Sequence, residues 1–388
     1  MKSGKQYQDA VAGKRLREGF TTGSAAAAGA KAALLCLVGL GVLKEVKIAL
    51  PAGGRLTIPI ERVETVGEGA RATVRKDGGD DPDATHKARI MSTVRLLPGG
   101  HDGEVFIEGG IGVGKVTRPG LPVSVGESAI NPVPRRQIKG AVLEGLEEAG
   151  VESAVSVVIE VANGEKIAKK TLNPRLGILG GISILGTRGT VKPFSNKAYK
   201  DTITMSMDVA KAEGLNTVAL TTGGRSERFL KELLPGFPET AFIQVADFFS
   251  FSFKEAAERG FRHILYSCFF GKLVKMAQGF PYTHARKSRI DFGRLASWSR
   301  NKGLGTEKAR AVSGANTARE ALSIIQEESC GDEIIHYVLE KALISARGFA
   351  GPLPDITYYL FDFRGRLLFA DCNKGVYPSC DKGSSTKA

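Results

Sequence analysis

Apolar and polar positions alternate with period two in VKIAL (46–50) and RLTIPI (55–60), and PAGG between them supplies turn residues. That pattern predicts a β-hairpin. EVFIEGG (104–110) reads as another strand. The rhythm becomes helical in QIKGAVLEGLEEAG (137–150), where Ile138, Val142, Leu143 and Leu146 share one face. SAVSVVIEVANG (153–164) returns to strand character and predicts a turn at Asn163 and Gly164 into a partner strand, KIAKKTLN.

Near the start, SAAAAGAKAALLCLVGLGVL (24–43) is apolar on every side. Thr21, Thr22 and Ser24 offer oxygens to the free N–H groups of a helix start, and Gly39 and Gly41 weaken its end. Lys31 interrupts the run, which falls short of the roughly 20 residues a bilayer span requires. A buried helix of a soluble protein is expected, with no membrane role.

A different arrangement begins near Gly177. GISILGT, NTVALTTG, AFIQVAD and HILYSC are apolar bursts of strand length, and each is followed by a stretch with helical periodicity. Continuous apolar strands alternating with amphipathic helices predict a parallel sheet covered on both faces. Helical stretches at 307–327 and 332–346 come next, and ITYYLFDFRGRLLFADC (356–372) predicts a hairpin turning at Arg364 and Gly365. The expected fold class is α/β: an α+β domain over 1–176, then a Rossmann-like parallel α/β/α domain over 177–388.

Composition changes this picture little. The chain has 388 residues, 42% hydrophobic and 24% charged, enough for two domains. Cys36, Cys268, Cys330, Cys372 and Cys380 form no CxxC or His-paired spacing, so no protein metal site is signalled and a reducing cytoplasm is the simpler setting. The formal charge of +13 asks for an anionic partner, and 262–310 concentrates it, with eleven Lys or Arg against Asp291 and Glu307. Aromatic residues at 7% and the lack of RNP, KH or zinc-finger patterns argue against nucleic acid.

In open parallel sheets, ligands collect beyond the carboxyl ends of the strands, which selects four loops. LGTRGTVKPFS carries Gly186, Thr187, Arg188, Gly189 and Thr190, as an anion cradle or a plain tight turn. TTGGRSE carries Thr221, Thr222, Gly223, Gly224 and Arg225 but lacks the Lys of a P-loop. Asp247 follows FIQVA, where an acid accepts from a ribose or caps the next helix. CFFGK offers Gly271 and Lys272. His284 lies among cations in PYTHARKSRID, as acid, base, axial metal ligand or plain helix-end residue. Asp80, Asp81, Asp83 and His86 in GGDDPDATH suit a divalent metal or Asx turns. The segment 116–140 holds Pro119, Pro122, Pro132 and Pro134 ahead of Arg135 and Arg136. It reads either as a stiffened loop presenting two cations or as a brace whose arginines pair with Glu144 or Glu147.

Together, GFTTGSAAAAGAKAA, GDDPDATH, GVGKVTRPGLPVSVGESAINPVPRRQI, GISILGTRGTVKPFS, GKLVKMAQG and THARKSRID resemble one family, the cobalt-precorrin-5B (C1)-methyltransferases of anaerobic cobalamin biosynthesis. The resemblance implies methyl transfer from S-adenosylmethionine to C1 of a cobalt-bearing tetrapyrrole, yielding cobalt-precorrin-6A. It also implies one domain like the second domain of ribosomal protein S5 and one α/β domain. The cobalt would arrive within the substrate, whose carboxylates would need Arg and Lys partners. On this basis Gly186, Thr187, Gly189, Thr190, Thr221, Thr222, Gly223, Arg225 and Asp247 are expected at the S-adenosylmethionine site. Asn131, Arg135, Arg136, Thr283, His284 and Arg286 are expected at the substrate, with His284 and Asp247 as catalytic candidates. A homo-oligomer and a non-catalytic corrinoid carrier stay open. The chain departs from the family pattern locally, with GGRSE at 223–227, CFF at 268–270 and GFPY at 279–282.

Overall fold

The computed structural model describes residues 16–101 and 103–370, and the chain forms two units, Met1–Asn196 and Lys197–Ala388. Cys372, Cys380 and the end of the expected terminal hairpin segment lie outside the described residues. The boundary differs from the expected one after residue 176. Gly181–Ile182 pairs with Gly112–Val113 of the first unit rather than joining the later sheet, and Ile182 and Ile184 are buried in the first unit's core. Backbone contact decides this: a Cβ on Gly181 would lie 2.2 Å from the Gly112 carbonyl oxygen. An apolar burst of strand length carries no record of which sheet it will join.

In the first unit, Thr22–Leu37 forms a helix buried through Leu35. Alanine has the best intrinsic helix propensity, and Thr21 caps the start by accepting from the Ser24 N–H at 3.2 Å. Small side chains allow close packing on the sheet, to the point that a Cβ on Gly29 would lie 2.8 Å from Ser92 Oγ. Lys31, only 3% exposed, reaches Glu148 at 2.6 Å and Glu144 at 3.1 Å. Among the described residues no helix is long and apolar enough to cross a membrane.

The sheet under this helix runs Arg62–Val66, Gly69–Arg75, Arg89–Leu97, Ala154–Val161, Val105–Gly109, antiparallel except for its last pair. Ala154–Val161 buries alternate residues, as its period-two sequence requires. The hairpin of Glu45–Ala49 with Arg55–Pro59 forms as expected, turning through Gly53 and Gly54 at φ +91° and +78°. After Asn163 the structure differs: Gly164–Ala168 is a short helix, not a strand. EKIAKK is rich in good helix formers and offers no β-branched run.

The second unit holds a sheet in the order Phe242–Gln244, Thr217–Thr221, His263–Phe269, Asp355–Phe361, Leu367–Ala370, parallel over its first four strands and antiparallel at the last. Gly224–Leu233 covers one face with Phe229 and Leu230. Asn196–Ala212, Phe249–Glu258, Phe270–Ala277 and Gly331–Ala350 cover the other with Ile203, Phe253, Leu273 and Val338. The expected helix at 307–327 is two, Thr306–Ser313 and Ala318–Gln326, the second capped by Thr317. The hairpin turn forms at Arg364 and Gly365, where Asp362 Oδ1 accepts from the Arg364 N–H at 2.8 Å. The chain is of the α/β class.

Candidate functional site

Two regions collect the chemistry, one in each unit. In the first, Pro132–Ala149 starts at Asn131, whose side chain makes no capping bond and whose N–H donates to the Ile184 carbonyl at 3.0 Å. Pro132 and Pro134 have no N–H, so this helix start has fewer donors to satisfy. Cations near the positive end of a helix cost a few tenths of a kcal/mol each, and the two arginines meet that cost differently. Arg135 donates from Nε to the Ile130 carbonyl at 3.0 Å and from Nη1 to that of Ile107 at 2.8 Å. Such charge-assisted bonds are worth roughly 1.5–3 kcal/mol, so Arg135 is a staple of the proline-rich loop. Neither arginine pairs with Glu144, which binds Lys31 and Arg55. Arg136 is exposed and has no acidic partner among the described residues.

Arg136 lines a cleft of about 370 Å³ with Leu50, Pro51, Val133, Gln137 and Thr187. Gln137 shapes its wall by donating to Ser24 Oγ at 3.1 Å and the Ala49 carbonyl at 3.0 Å. Thr187 is thus brought to Arg136, whereas the rest of its loop serves packing. Gly186, at φ +143°, sits where a Cβ would lie 2.4 Å from Thr21 Oγ1. The Gly189 carbonyl accepts from the Thr21 N–H at 3.0 Å and Ser24 Oγ at 2.8 Å. Thr190 pairs with Phe20. The loop of Gly186–Thr190 therefore clamps the alanine-rich helix in the first unit; it does not extend the strand ends of the second, as expected from its apolar prelude.

In GGDDPDATH each acid has a backbone or side-chain partner. Asp80 accepts from the Arg17 N–H at 2.7 Å, Asp81 from that of Phe194 at 2.9 Å, and Asp83 from that of Thr85 at 2.7 Å while pairing with Lys76. Asp83 thus forms the expected Asx turn, whereas Asp80 and Asp81 tie the loop to segments distant in the chain.

In the second unit the strand order is 2-1-3-4-5 by sequence, so the direction of winding reverses between Thr217–Thr221 and His263–Phe269. Sheets of this kind bind ligands at that reversal, beyond the carboxyl ends. Thr222 bridges the two strands by donating from its N–H and Oγ1 to the Ser267 carbonyl, at 3.2 and 3.3 Å. Thr221 is fully buried, with Oγ1 turned to the Ile243 carbonyl at 3.4 Å. It supports the loop from beneath and offers no surface to a ligand. Gly223 (φ +155°, ψ +176°) opens the helix Gly224–Leu233, and a Cβ there would meet nothing within 4 Å. Arg225 turns its guanidinium toward the Phe363 ring, 6.0 Å from the centroid.

At the neighbouring strand end, Ala246 adopts φ +49°, a conformation uncommon outside glycine. Lys272 holds that turn through the Ala246 carbonyl at 3.2 Å, an ion pair with Asp247 Oδ1, and Thr283 Oγ1 at 3.2 Å. Thr283, buried, donates its N–H to the Asp247 carbonyl at 3.0 Å and its hydroxyl to Asp247 Oδ1 at 3.2 Å. Lys275 donates to the Thr283 carbonyl at 2.9 Å; burial first and then the charge of Lys272 lower its pKa. Burial and the Asp247 carboxylate push the Tyr282 hydroxyl up. His284 stacks on Tyr282 with centroids 5.9 Å apart, and its Nδ1 accepts from the Arg286 N–H at 3.2 Å, which leaves Nε2 to carry the proton. Arg286 is exposed on the same turn.

Asp247, Thr283 and His284 are thus gathered at one corner. Sequence reasoning noted Lys272 without giving it a role and passed over Lys275. Their i,i+3 spacing on Phe270–Ala277 was the available signal.

Comparison with known proteins follows the same division. The family model described as CbiD matches residues 9–193, and that described as CbiD, C-terminal domain, matches residues 282–372. A crystal structure of a cobalamin biosynthesis protein (cbiD) from Archaeoglobus fulgidus is 29% identical, with 66% of this chain and 78% of that chain covered and a TM-score of 0.36. A Nitratidesulfovibrio vulgaris protein named cobalt-precorrin-5B C(1)-methyltransferase is 50% identical over 359 residues, which is 91% of this chain and 92% of that one. Proteins of the same name from Geobacillus sp. (strain WCH70) and Thermus thermophilus are 47% and 44% identical, over 92% and 94% of this chain and 96% of each of theirs. Identity at this level along nearly the whole length makes the chain a member of the cobalt-precorrin-5B C(1)-methyltransferase family.

Proposed function

We propose that this chain methylates C1 of cobalt-precorrin-5B with S-adenosylmethionine as donor, giving cobalt-precorrin-6A in the cytoplasm. Membership of a methyltransferase family calls for a methyl donor, and one observation carries the choice of site. Gly223, in a conformation suited to glycine and with open space above it, stands at the winding reversal beside the strand end that carries Asp247. The N–H groups of Gly224 and Arg225 begin the following helix without an internal partner, so they suit the carboxylate of the donor. Asp247 commits Oδ1 to Lys272 and Thr283 and retains Oδ2 for ribose hydroxyls.

When bound, S-adenosylmethionine supplies an electrophilic methyl whose C–S electron pair passes to sulfur as the new carbon–carbon bond forms at C1. The residues of the chain hold and orient. Lys272 and Thr283 fix the Asp247 carboxylate, and Gly223 lets the donor approach the main chain. Arg136 offers an unneutralised cation to a carboxylate of the macrocycle, with Thr187 beside it in the cleft. His284, with its proton on Nε2, serves as a hydrogen-bond donor to the substrate. In-line displacement needs the reacting atoms held roughly 3 Å apart, and alignment of this sort contributes more than any strong base.

The test is incubation with methyl-labelled S-adenosylmethionine and cobalt-precorrin-5B, followed by mass spectrometry of the tetrapyrrole. One labelled methyl on the ring is the expected product; label that stays wholly on the donor overturns the proposal.

A further inference from the structure

Beyond the strand ends of the second unit lies a group of side chains to which the donor site gives no role. Phe363, in the turn after Asp355–Phe361, is 45% exposed and stacks on Phe269, with centroids 4.8 Å apart and planes 3° from parallel. The guanidinium of Arg319 lies 4.2 Å from the Phe363 centroid and that of Arg225 lies 6.0 Å from it. Both arginines are exposed, and neither has an acidic partner among the described residues. The nearby acids are engaged elsewhere: Glu227 pairs with Lys231, Glu320 accepts from the Asn316 N–H at 2.9 Å, and Asp362 accepts from the N–H groups of Arg364 and Arg366.

This arrangement runs against stability. Arg225 and Arg319 each occupy the second position of a helix, Gly224–Leu233 and Ala318–Gln326, where an acid would be favoured and a cation is not. Two like charges are also directed to one ring. Cation–π attraction orients both guanidiniums without neutralising either, so their N–H donors keep the fork geometry that matches carboxylates. Sites where a sequence departs from local stability rules without internal compensation are where function is expected.

We infer that Arg225, Arg319 and Phe363 form a carboxylate clamp for the acidic side chains of the tetrapyrrole, separate from the donor site at Gly223 and Asp247. The ligand chemistry is a carboxylate, which the methionyl end of the donor also carries. Charge favours the macrocycle. The donor bears a positive sulfonium and gains little from a doubly cationic surface, whereas a ring with several acetate and propionate arms is a polyanion. The exposed edge of Phe363 gives its apolar framework a place to rest. This inference rests on the proposed methyl-transfer function for the identity of its ligand.

The test uses the full chain and two probes. Uroporphyrin, a stable porphyrin with acetate and propionate arms, is titrated by absorbance at several salt concentrations, and S-adenosylmethionine is titrated by calorimetry. Arg319→Ala should weaken porphyrin binding about tenfold and flatten its salt dependence, with donor affinity within about twofold of the unaltered protein, and Arg225→Ala should weaken porphyrin binding to a similar degree. Arg319→Lys, keeping charge but not the fork, should recover only part of the loss. Unchanged porphyrin affinity in both alanine variants, a fall in donor affinity equal to that in porphyrin affinity for Arg319→Ala, or no porphyrin binding to the unaltered protein would each overturn the clamp. Absence of donor heat in the unaltered protein, with porphyrin binding still sensitive to Arg319, would instead sink the methyl-transfer reading and leave the clamp standing.

Discussion

Arg135 donates from Nη1 to the Ile107 carbonyl at 2.8 Å, so a cation in the first turn of the helix Pro132–Ala149 closes the exposed rim of the edge strand Val105–Gly109. Free edges invite pairing with other chains, and this one is covered further by Ser128 Oγ, which accepts from the Gly109 N–H at 3.1 Å. Arg136, one residue on, faces the cleft instead. Adjacent arginines therefore carry different tasks.

Substitution separates those tasks. Arg135→Ala leaves two part-buried carbonyls without donors and should lower stability by about 1–2 kcal/mol, read by chemical denaturation. Arg136→Ala should stay within roughly 0.5 kcal/mol of the parent and lose tetrapyrrole affinity. Equal melting losses in the two variants would contradict this division.

Two glycines make a second contrast. Gly186→Ala drives a Cβ to 2.4 Å from Thr21 Oγ1 in the first unit and should cost roughly 2–4 kcal/mol. Gly223→Ala meets open space, so only its backbone conformation is penalised, by about 1–3 kcal/mol. Its larger effect should be on donor binding by calorimetry. A Gly223→Ala protein that binds S-adenosylmethionine normally would remove that loop from the donor site.

Acid stability should report Asp77. The Arg17 side chain hydrogen-bonds its carboxyl and holds it down at about 2, against 3.8 unperturbed. A folded pKa below the unfolded one gives stability that is present above about pH 4 and lost as pH falls toward 2. Melting temperature in Asp77→Asn should depend less on pH across that window. Because the pair is largely exposed, added salt should shrink the difference.

Lys272 positions Asp247, so the two should behave as a unit. Asp247→Asn and Lys272→Met should each weaken S-adenosylmethionine binding about tenfold, and the double variant should lose less than the product of the two. Strict additivity in the calorimetric affinities would separate the residues.

Tyr266 is fully buried and its hydroxyl has no hydrogen-bond partner. An unpaired buried hydroxyl is a desolvation cost of roughly 1–3 kcal/mol. Tyr266→Phe keeps the ring contacts with Phe253 and Tyr358 and should raise stability by about 1 kcal/mol. A fall in the denaturation midpoint would mean that the hydroxyl is satisfied in solution.

Much of the fold is legible along the chain because its causes are local. The alanine run with Thr21 ahead of it, the PAGG turn and the alternation in Ala154–Val161 each depend on neighbours within a few residues. GISILGT misleads because a short apolar run looks the same in either sheet, and only the contact of Gly181 with Gly112 assigns it. At the site, Asp247 is legible from its place after an apolar strand. The partnership of Lys272 with Asp247 joins residues 25 apart in the chain, and that of Arg319 with Phe363 joins two segments that no spacing relates.

By itself the sequence determined the α/β class, the buried alanine-rich helix, the basic surplus and the family, since propensity, periodicity, charge and matching words all reside in the order of residues. Tertiary structure alone decided which unit holds 177–196, that Arg135 is spent on backbone carbonyls while Arg136 is not, and which loop glycines serve packing. These outcomes depend on steric contact and hydrogen-bond distance between segments far apart in the chain, quantities that come into existence only once the chain has folded.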